Sequence, residues 1–321
     1  MDVERNKGSS HGRGALKHLV ISRYNEQLEW LKILPILEFD HVFVYNKGNE
    51  DLEISTLQKF CKSYSVTALP NVGKCDHTYL YHILTNYNSL ADVTVFLPGC
   101  CDDHVKWFHT LITVTVALYT GGSIFVAHEY KEGVHKHFFS MYMDSYESRD
   151  KRNRDHTNDQ NGVHSGGAML ASPIRPFGLW YASNFPNIDV HFVSYFGIFA
   201  ASRKHIHNRR FDSYVDLYKY VNTHPNPEVG HYFERSWLAI FHPVPPEAHV
   251  YPVPNNNFYN YPPPTVQDTK DTTKDTTKDT KDTKDTKDTK DTNETSEPES
   301  HGVPLYTFEI LCEMLGLAKL T

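Results

Sequence analysis

Four times between residues 18 and 99 a short apolar run ends in a polar turn, with helical spacing after it. The apolar runs are HLVIS (18–22), HVFVYNK (41–47), SVTALP (65–70) and DVTVFLPG (92–99). The stretches EQLEWLKILPIL (26–37), LEISTLQKFCKSY (52–64) and TYLYHILTNY (78–87) carry the helical spacing, and a fourth helix is expected from Val105. Strands that alternate with helices predict a mostly parallel sheet covered on both faces, an α/β fold of Rossmann-like type.

In such sheets ligands bind beyond the carboxyl ends of the strands. That rule singles out four polar turns: Ser22-Arg23-Tyr24-Asn25-Glu26, Asn46-Lys47-Gly48, Asn71-Val72-Gly73-Lys74, and Gly99 through His104. Arg23 has the planar fork that grips phosphate, or a place in an ion pair. Asn25 and Glu26 suit a nucleoside or an ordinary turn and first helical turn, and Gly73 allows close backbone approach.

The alternation fades beyond the fourth strand. Residues 145–168 read as a long polar loop, VHFVSYFGIFAASRKHI (190–206) as strand, glycine turn and helix start, and EVGHYFERSWLAIF (228–241) as a closing helix. On that helix Glu228, His231 and Glu234 are spaced three apart, near one face.

The folded body is expected over residues 17–250, after a disordered, polar N-terminus at 1–16. Residues 251–303 hold a Pro/Asn-rich stretch and a repeat of Lys, Asp and Thr without aromatic or aliphatic residues, which predicts a disordered linker. Residues 304–321 have the spacing of a short amphipathic helix that docks on the body or on a partner. The net charge of −7, from 32 basic and 39 acidic residues, argues against nucleic acid as a partner. The sequence opens without a signal-peptide pattern, and no apolar window spans a membrane. The five cysteines form no disulfide framework, so a reducing, cytoplasmic setting is expected.

VFLPGCCDDH (95–104) crowds Cys100, Cys101, Asp102, Asp103 and His104 onto one strand end. Asp102 and Asp103, with His104, suit a hard cation such as Mn²⁺ or Mg²⁺, which takes one or two carboxylates when phosphates complete its shell. Adjacent cysteines are poorly placed to grip one zinc ion together. Zinc or thiol chemistry and a plain helix cap from Asp102 or Asp103 stand as the other readings.

LVISRYNEQLEWL is similar to the opening strand and turn of nucleotide-sugar glycosyltransferases of the GT-A type, and SYFGIFAASRKHI to a later strand that shapes their acceptor side. Taken together, ISRYNEQLEWL, VYNKG, LPNVGKCDHTYLYHIL, ADVTVFLPG…DH and HYFERSW resemble, in order, a family of fungi and large algal viruses long known only as a domain of unknown function. The resemblance spans residues 17–243. In that family the fourth strand ends FLQGDPFDH, so Cys100 stands where an Asp is usual, while Asp103 and His104 are kept and Asp102 is an added acid. The resemblance implies a GT-A-like glycosyltransferase that moves a sugar from a nucleotide-sugar donor to a glycan hydroxyl, in viral or cell-surface glycan synthesis. On that reading Ser22 to Glu26, Asn71, Gly73, Lys74 and Gly99 hold the donor, and Asp102, Asp103 and His104 hold a divalent cation. Glu234, in the family's Glu-Arg-x-Trp, is the first candidate base, followed by Glu228 and His231. The alternative is a non-catalytic carbohydrate- or nucleotide-binding module.

Overall fold

The computed structural model describes residues 15–50, 52, 54–132, 137–145 and 169–250. The expectations for the two termini, the 251–321 tail and nearly all of the 145–168 loop lie outside these residues. The strands are β1 (Lys17–Arg23), β2 (His41–Asn46), β3 (Tyr64–Ala68), β4 (Val93–Pro98), β5 (Ile124–Glu129), β6 (Phe192–Ser202) and β7 (His249–Val250). The helices are α1 (Ile54–Phe60), α2 (Lys74–Asn86), α3 (His104–Thr120), α4 (Phe177–Asn184), α5 (Arg203–His207), α6 (Phe211–Tyr218), α7 (Val229–Glu234) and α8 (Trp237–Ile240).

All seven strands form one sheet in the order β3-β2-β1-β4-β6-β5-β7. Pairings β1–β2, β2–β3, β1–β4 and β5–β7 are parallel, whereas β6 runs antiparallel to both β4 and β5. The expected mostly parallel α/β sheet is present, with one reversed strand between β4 and β5.

Strand pleating sends alternate residues to opposite faces. Val20 and Phe96 join one core with Tyr79, Phe199 and Trp237, while Leu19, Ile21, Val95 and Leu97 join the other with Trp30 and Val114. Apolar residues on both faces explain why β1 and β4 read as continuous apolar runs rather than alternating ones.

Three expectations are corrected. The first helix, expected over 26–37, is replaced by two 3₁₀ turns, Glu29–Ile33 and Ile36–Glu38. Pro35 separates them, and Leu34 before it is extended at ψ 154, because proline lacks an N–H and its ring disfavours helical geometry in the preceding residue. The glycine turn expected near Gly197 does not end a strand: β6 runs through it, with Phe196 at φ 71 and Gly197 at φ 63. The closing helix is split into α7 and α8, because Ser236 leaves helical geometry between them.

Helix α2 begins at Lys74, ahead of the expected TYLYHILTNY stretch. Lys74, Cys75 and Asp76 are therefore the first turn of a helix at the sheet's carboxyl edge. Among the described residues no helix is long and apolar enough to cross a membrane.

Candidate functional site

At the carboxyl end of β1 the backbone turns sharply and Arg23 folds back beneath it, fully buried. Its Nε donates to the Glu26 carbonyl at 2.9 Å, and its Nη1 to Asn46 Oδ1 at 2.7 Å and the Glu50 carbonyl at 2.9 Å. Arg23 thus ties the β1 turn to the β2 turn from below. This corrects the expectation that it grips phosphate, since its fork is held inside the protein.

The rest of that turn is packed as tightly. The Tyr24 N–H donates to Glu26 Oε2 at 2.6 Å, and the Glu50 N–H to Asn25 Oδ1 at 3.1 Å. A Cβ at Gly99 would lie 2.6 Å from Glu26 Oε2 and 3.2 Å from Arg23 Cα. The β4 turn can pass the β1 turn only as glycine. The Gly99 N–H donates to the Ser22 carbonyl at 2.7 Å, and Ser22 Oγ shares a 2.8 Å hydrogen bond with Thr78 Oγ1.

Asn71 and Gly73 lead into α2, Gly73 at φ 59 and Lys74 at φ 49. Any side chain at Gly73 would strike the Val221 carbonyl. Beneath this turn lies Lys47, which donates to the carbonyls of Val72 and Lys74. Burial lowers the Lys47 ammonium to about 7, against the pull of Cys75, Asp76 and Glu26.

The first turn of α2 meets α7 and α8. The Trp237 indole N–H donates to Asp76 Oδ1 at 3.1 Å, and a Cβ on Gly230 would sit 3.5 Å from Asp76 Oδ2 and 3.9 Å from Lys74 Cδ. Burial and the Glu234 carboxylate push Asp76 up to about 8, so at neutral pH it carries its proton. Burial lowers Lys74 to about 8, although Glu234 and Asp76 favour its charged form and Lys106 opposes it. His231 is brought to about 3 by burial, Lys74 and Arg235, so its imidazole is neutral.

Glu234 is partly open to solvent. Its Oε1 accepts from the Phe196 N–H at 2.8 Å, and its Oε2 lies 3.5 Å from Arg235 Nη1. Phe196 is an aromatic residue at positive φ, a strained geometry that clusters at functional sites. The β6 bulge and Glu234 hold each other in place.

Glu228 belongs elsewhere, a correction to its expected grouping with Glu234. Its side chain is fully buried and accepts from the N–H groups of Met143 and Ser172, from Arg175 Nε and from the Tyr232 hydroxyl. Burial alone would raise this carboxyl, but those donors hold it below its ordinary value. Glu228 is a structural lock at the N-terminal end of α7, where Arg175, Tyr232 and two backbone amides hold its carboxylate.

The β4 end resolves the crowded turn. Cys101 is fully buried, donates to the Pro98 carbonyl at 3.0 Å, and burial raises its thiol well above the ordinary range. Asp103 precedes α3, and its Oδ1 accepts from the Lys106 N–H at 3.5 Å, the geometry of a helix cap. Cys100 is buried and takes a 2.7 Å contact from Lys106 Nζ. Burial works to lower Lys106, but Cys100, Cys101 and Asp103 raise it above the ordinary lysine value, so it stays charged.

Asp76 and Lys106 were not singled out from the sequence, and Lys47 only as part of the Asn46-Lys47-Gly48 turn. Asp76 stood inside the quoted VGKCDH segment, yet nothing local announced that its helix begins at Lys74 and turns it toward Trp237. Lys106 lies one turn beyond the Asp-Asp-His motif, a spacing that matters only once α3 is known to start at His104.

For the divalent cation implied by the resemblance, Asp102 and Asp103 stand at the β4 end, and the side chain of His104 lies outside the described residues. A hard cation wants converging carboxylate oxygens. The strand end places Asp103 at the start of α3 and, beside it, the Cys100 thiol with the Lys106 ammonium against it. Among the described residues no three His, Cys, Asp or Glu side chains converge on a point. A scan against protein-family models and a search of curated proteins each found no match to the chain.

Proposed function

We propose that this protein is a nucleotide-sugar glycosyltransferase of GT-A type, which transfers a sugar to a glycan hydroxyl. The observation that carries the reading is the meeting of two lysines and one partly exposed carboxylate at the carboxyl edge of the sheet: Lys74 and Lys106 on the first turns of α2 and α3, and Glu234 on α7. Two helix N-termini and two ammonium groups favour a diphosphate, and a carboxylate beside them suits an acceptor hydroxyl. The reversed β6, with its Phe196–Gly197 bulge followed by α5, agrees with the later strand the resemblance assigns to the acceptor side.

In this scheme the turns at Gly99 and Asn71–Lys74 form the donor floor, supported by Arg23 and Lys47 from within. The acceptor oxygen attacks the anomeric carbon while the bond to the diphosphate oxygen breaks, and the hydroxyl proton passes to Glu234. Lys74 and Lys106 balance the charge that develops on the leaving diphosphate. Protonated Asp76 keeps a second negative charge out of the cleft.

A thermal-shift panel of nucleoside diphosphate sugars tests the reading. One base and sugar should raise the melting temperature, and a neutral Lys74→Gln variant should respond less. A panel in which no nucleotide stabilises the protein removes the transferase reading.

A further inference from the structure

We propose that the Tyr195 ring is the platform on which the acceptor sugar lies, with Arg235 as the positioning residue that holds it beside Glu234. The inference rests on the transferase reading and adds an acceptor class to it, a pyranose that stacks one C–H face on an aromatic ring. The fold sets this platform up in β6. Against β5 the ladder runs from Ala127–Ser194 to Phe125–Phe199, so β5 advances two residues while β6 advances five. Against β4 it stops at Phe96–Phe199, which leaves the bulge beside Leu97 and Pro98, at the carboxyl edge of the sheet.

Two consecutive residues at positive φ, Phe196 and Gly197, shape the bulge. Glycine takes that geometry freely, but phenylalanine does so only where its surroundings enforce it. Here the Phe196 N–H bonds Glu234 Oε1, the Tyr79 hydroxyl donates to the Gly197 carbonyl at 2.8 Å, and the Phe196 ring meets His109 at 5.0 Å. Phe196 packs toward the core that holds Trp30, and Tyr195 toward the core that holds Trp237 and the apolar residues of α7. On that side Tyr195 is half-buried, with Arg235 Cζ 5.4 Å from its ring centroid and the exposed His128 ring at 6.1 Å. Arg235 Nη1 donates to the His231 carbonyl at 2.8 Å and lies 3.5 Å from Glu234 Oε2. One guanidinium therefore spans the ring and the carboxylate, and both keep some exposure to solvent. A pyranose stacked on Tyr195 would set its hydroxyls among Glu234, Arg235 and His128. Aromatic surface with a few fixed polar groups is how binding sites orient a ligand.

The test is acceptor-dependent release of nucleoside diphosphate from a panel of nucleotide sugars by the full chain. Methyl β-glucoside, methyl β-galactoside, methyl β-xyloside and glycerol serve as acceptors. The parent should use at least one glycoside and should not use glycerol, which offers hydroxyls without a ring. Tyr195→Ala should raise the acceptor KM by about five- to tenfold, the size of one aromatic contact, with donor KM and kcat within about twofold. Tyr195→Phe keeps the ring and should retain the parental KM. Arg235→Ala should also raise the acceptor KM, and the double variant no further than Tyr195→Ala alone, because contacts that act through one another are not additive. Matching melting temperatures confirm folding, and where Tyr195→Ala does not fold, Tyr195→Leu carries the same expectation. A parental acceptor KM in the folded variant, or use of glycerol as readily as of a glycoside, overturns the proposal and leaves the transferase reading intact. No release by the parent from any donor with any acceptor overturns both.

Discussion

The indole N–H of Trp237 meets Asp76 Oδ1 at 3.1 Å and so fastens α8 to the first turn of α2. This contact fixes a buried carboxyl at the start of α2, where desolvation and Glu234 keep it protonated. The folded pKa of about 8 lies above the ordinary aspartate value of 3.8. Asp76 therefore contributes stability that is complete below about pH 4 and is lost as pH rises through 8. Asp76→Asn keeps an acceptor for Trp237 and cannot ionise. Urea unfolding should show its stability gaining on the parent by up to about 1.4 kcal/mol per pH unit between pH 4 and 8. Parallel pH curves for the two proteins would show that Asp76 is ionised in the fold.

The opposite limb belongs to histidine. His82 is fully buried, with Nδ1 bonded to the Tyr45 hydroxyl at 2.9 Å, Nε2 without a partner, and Phe43 and Phe96 against its ring. Burial, with His18 and His41, lowers it to about 3, and burial and His41 lower His18 to about 4. Their folded pKa values are depressed, so the stability they confer is present above about pH 6.5 and is lost on acidification toward pH 4. His82→Leu should be less stable at pH 7 yet lose less between pH 6.5 and 4. An unchanged acid limb in urea titrations would place the sensitivity elsewhere.

Arg23 and Gly99 make one prediction together. Arg23→Met leaves buried carbonyls without donors and should cost at least about 2 kcal/mol. Gly99→Ala drives a methyl into Glu26 and should cost about 1–3 kcal/mol. Both losses should be seen in chemical denaturation. An Arg23→Met protein of parental stability that loses nucleotide affinity would return Arg23 to the phosphate role.

Glu228 and Glu234 separate by their environments. Glu228→Gln interrupts the bonds from Arg175 and two backbone amides and should lower stability by about 1.5–3 kcal/mol. Nucleotide affinity should be unchanged in calorimetry. A stable Glu228→Gln protein with impaired turnover would give Glu228 the catalytic role instead.

The architecture was legible where each strand's pattern was local. Leu19-Val20-Ile21 and Val95-Phe96-Leu97 announce strands buried on both faces, and the parallel order of the first four strands follows from their alternation with helices. The reversed β6 was not legible, because the direction of a strand depends on which neighbour it meets and not on its own residues. Pro35 was visible in the sequence but outweighed by the apolar spacing around it. The four polar turns do lie at the carboxyl edge, yet a turn residue's type does not say whether it faces a ligand or the interior. Arg23 illustrates the point, since the same fork that binds phosphate also closes backbone and amide oxygens of the β1 and β2 turns. Lys106 and Asp76 stayed hidden because their positions depend on where α3 and α2 begin.

The central claim is tested most directly by donor turnover. Release of nucleoside diphosphate from a panel of nucleotide sugars, with glycan acceptors present, is measured for the parent and for Glu234→Gln. Gln retains an oxygen for the Phe196 N–H, so the fold and nucleotide affinity should hold while the proton acceptor is gone. The account predicts acceptor-dependent turnover of one donor by the parent and a loss of about 10²–10⁴-fold in the variant. Turnover by Glu234→Gln at the parental rate, or no donor consumed by the parent, would contradict it.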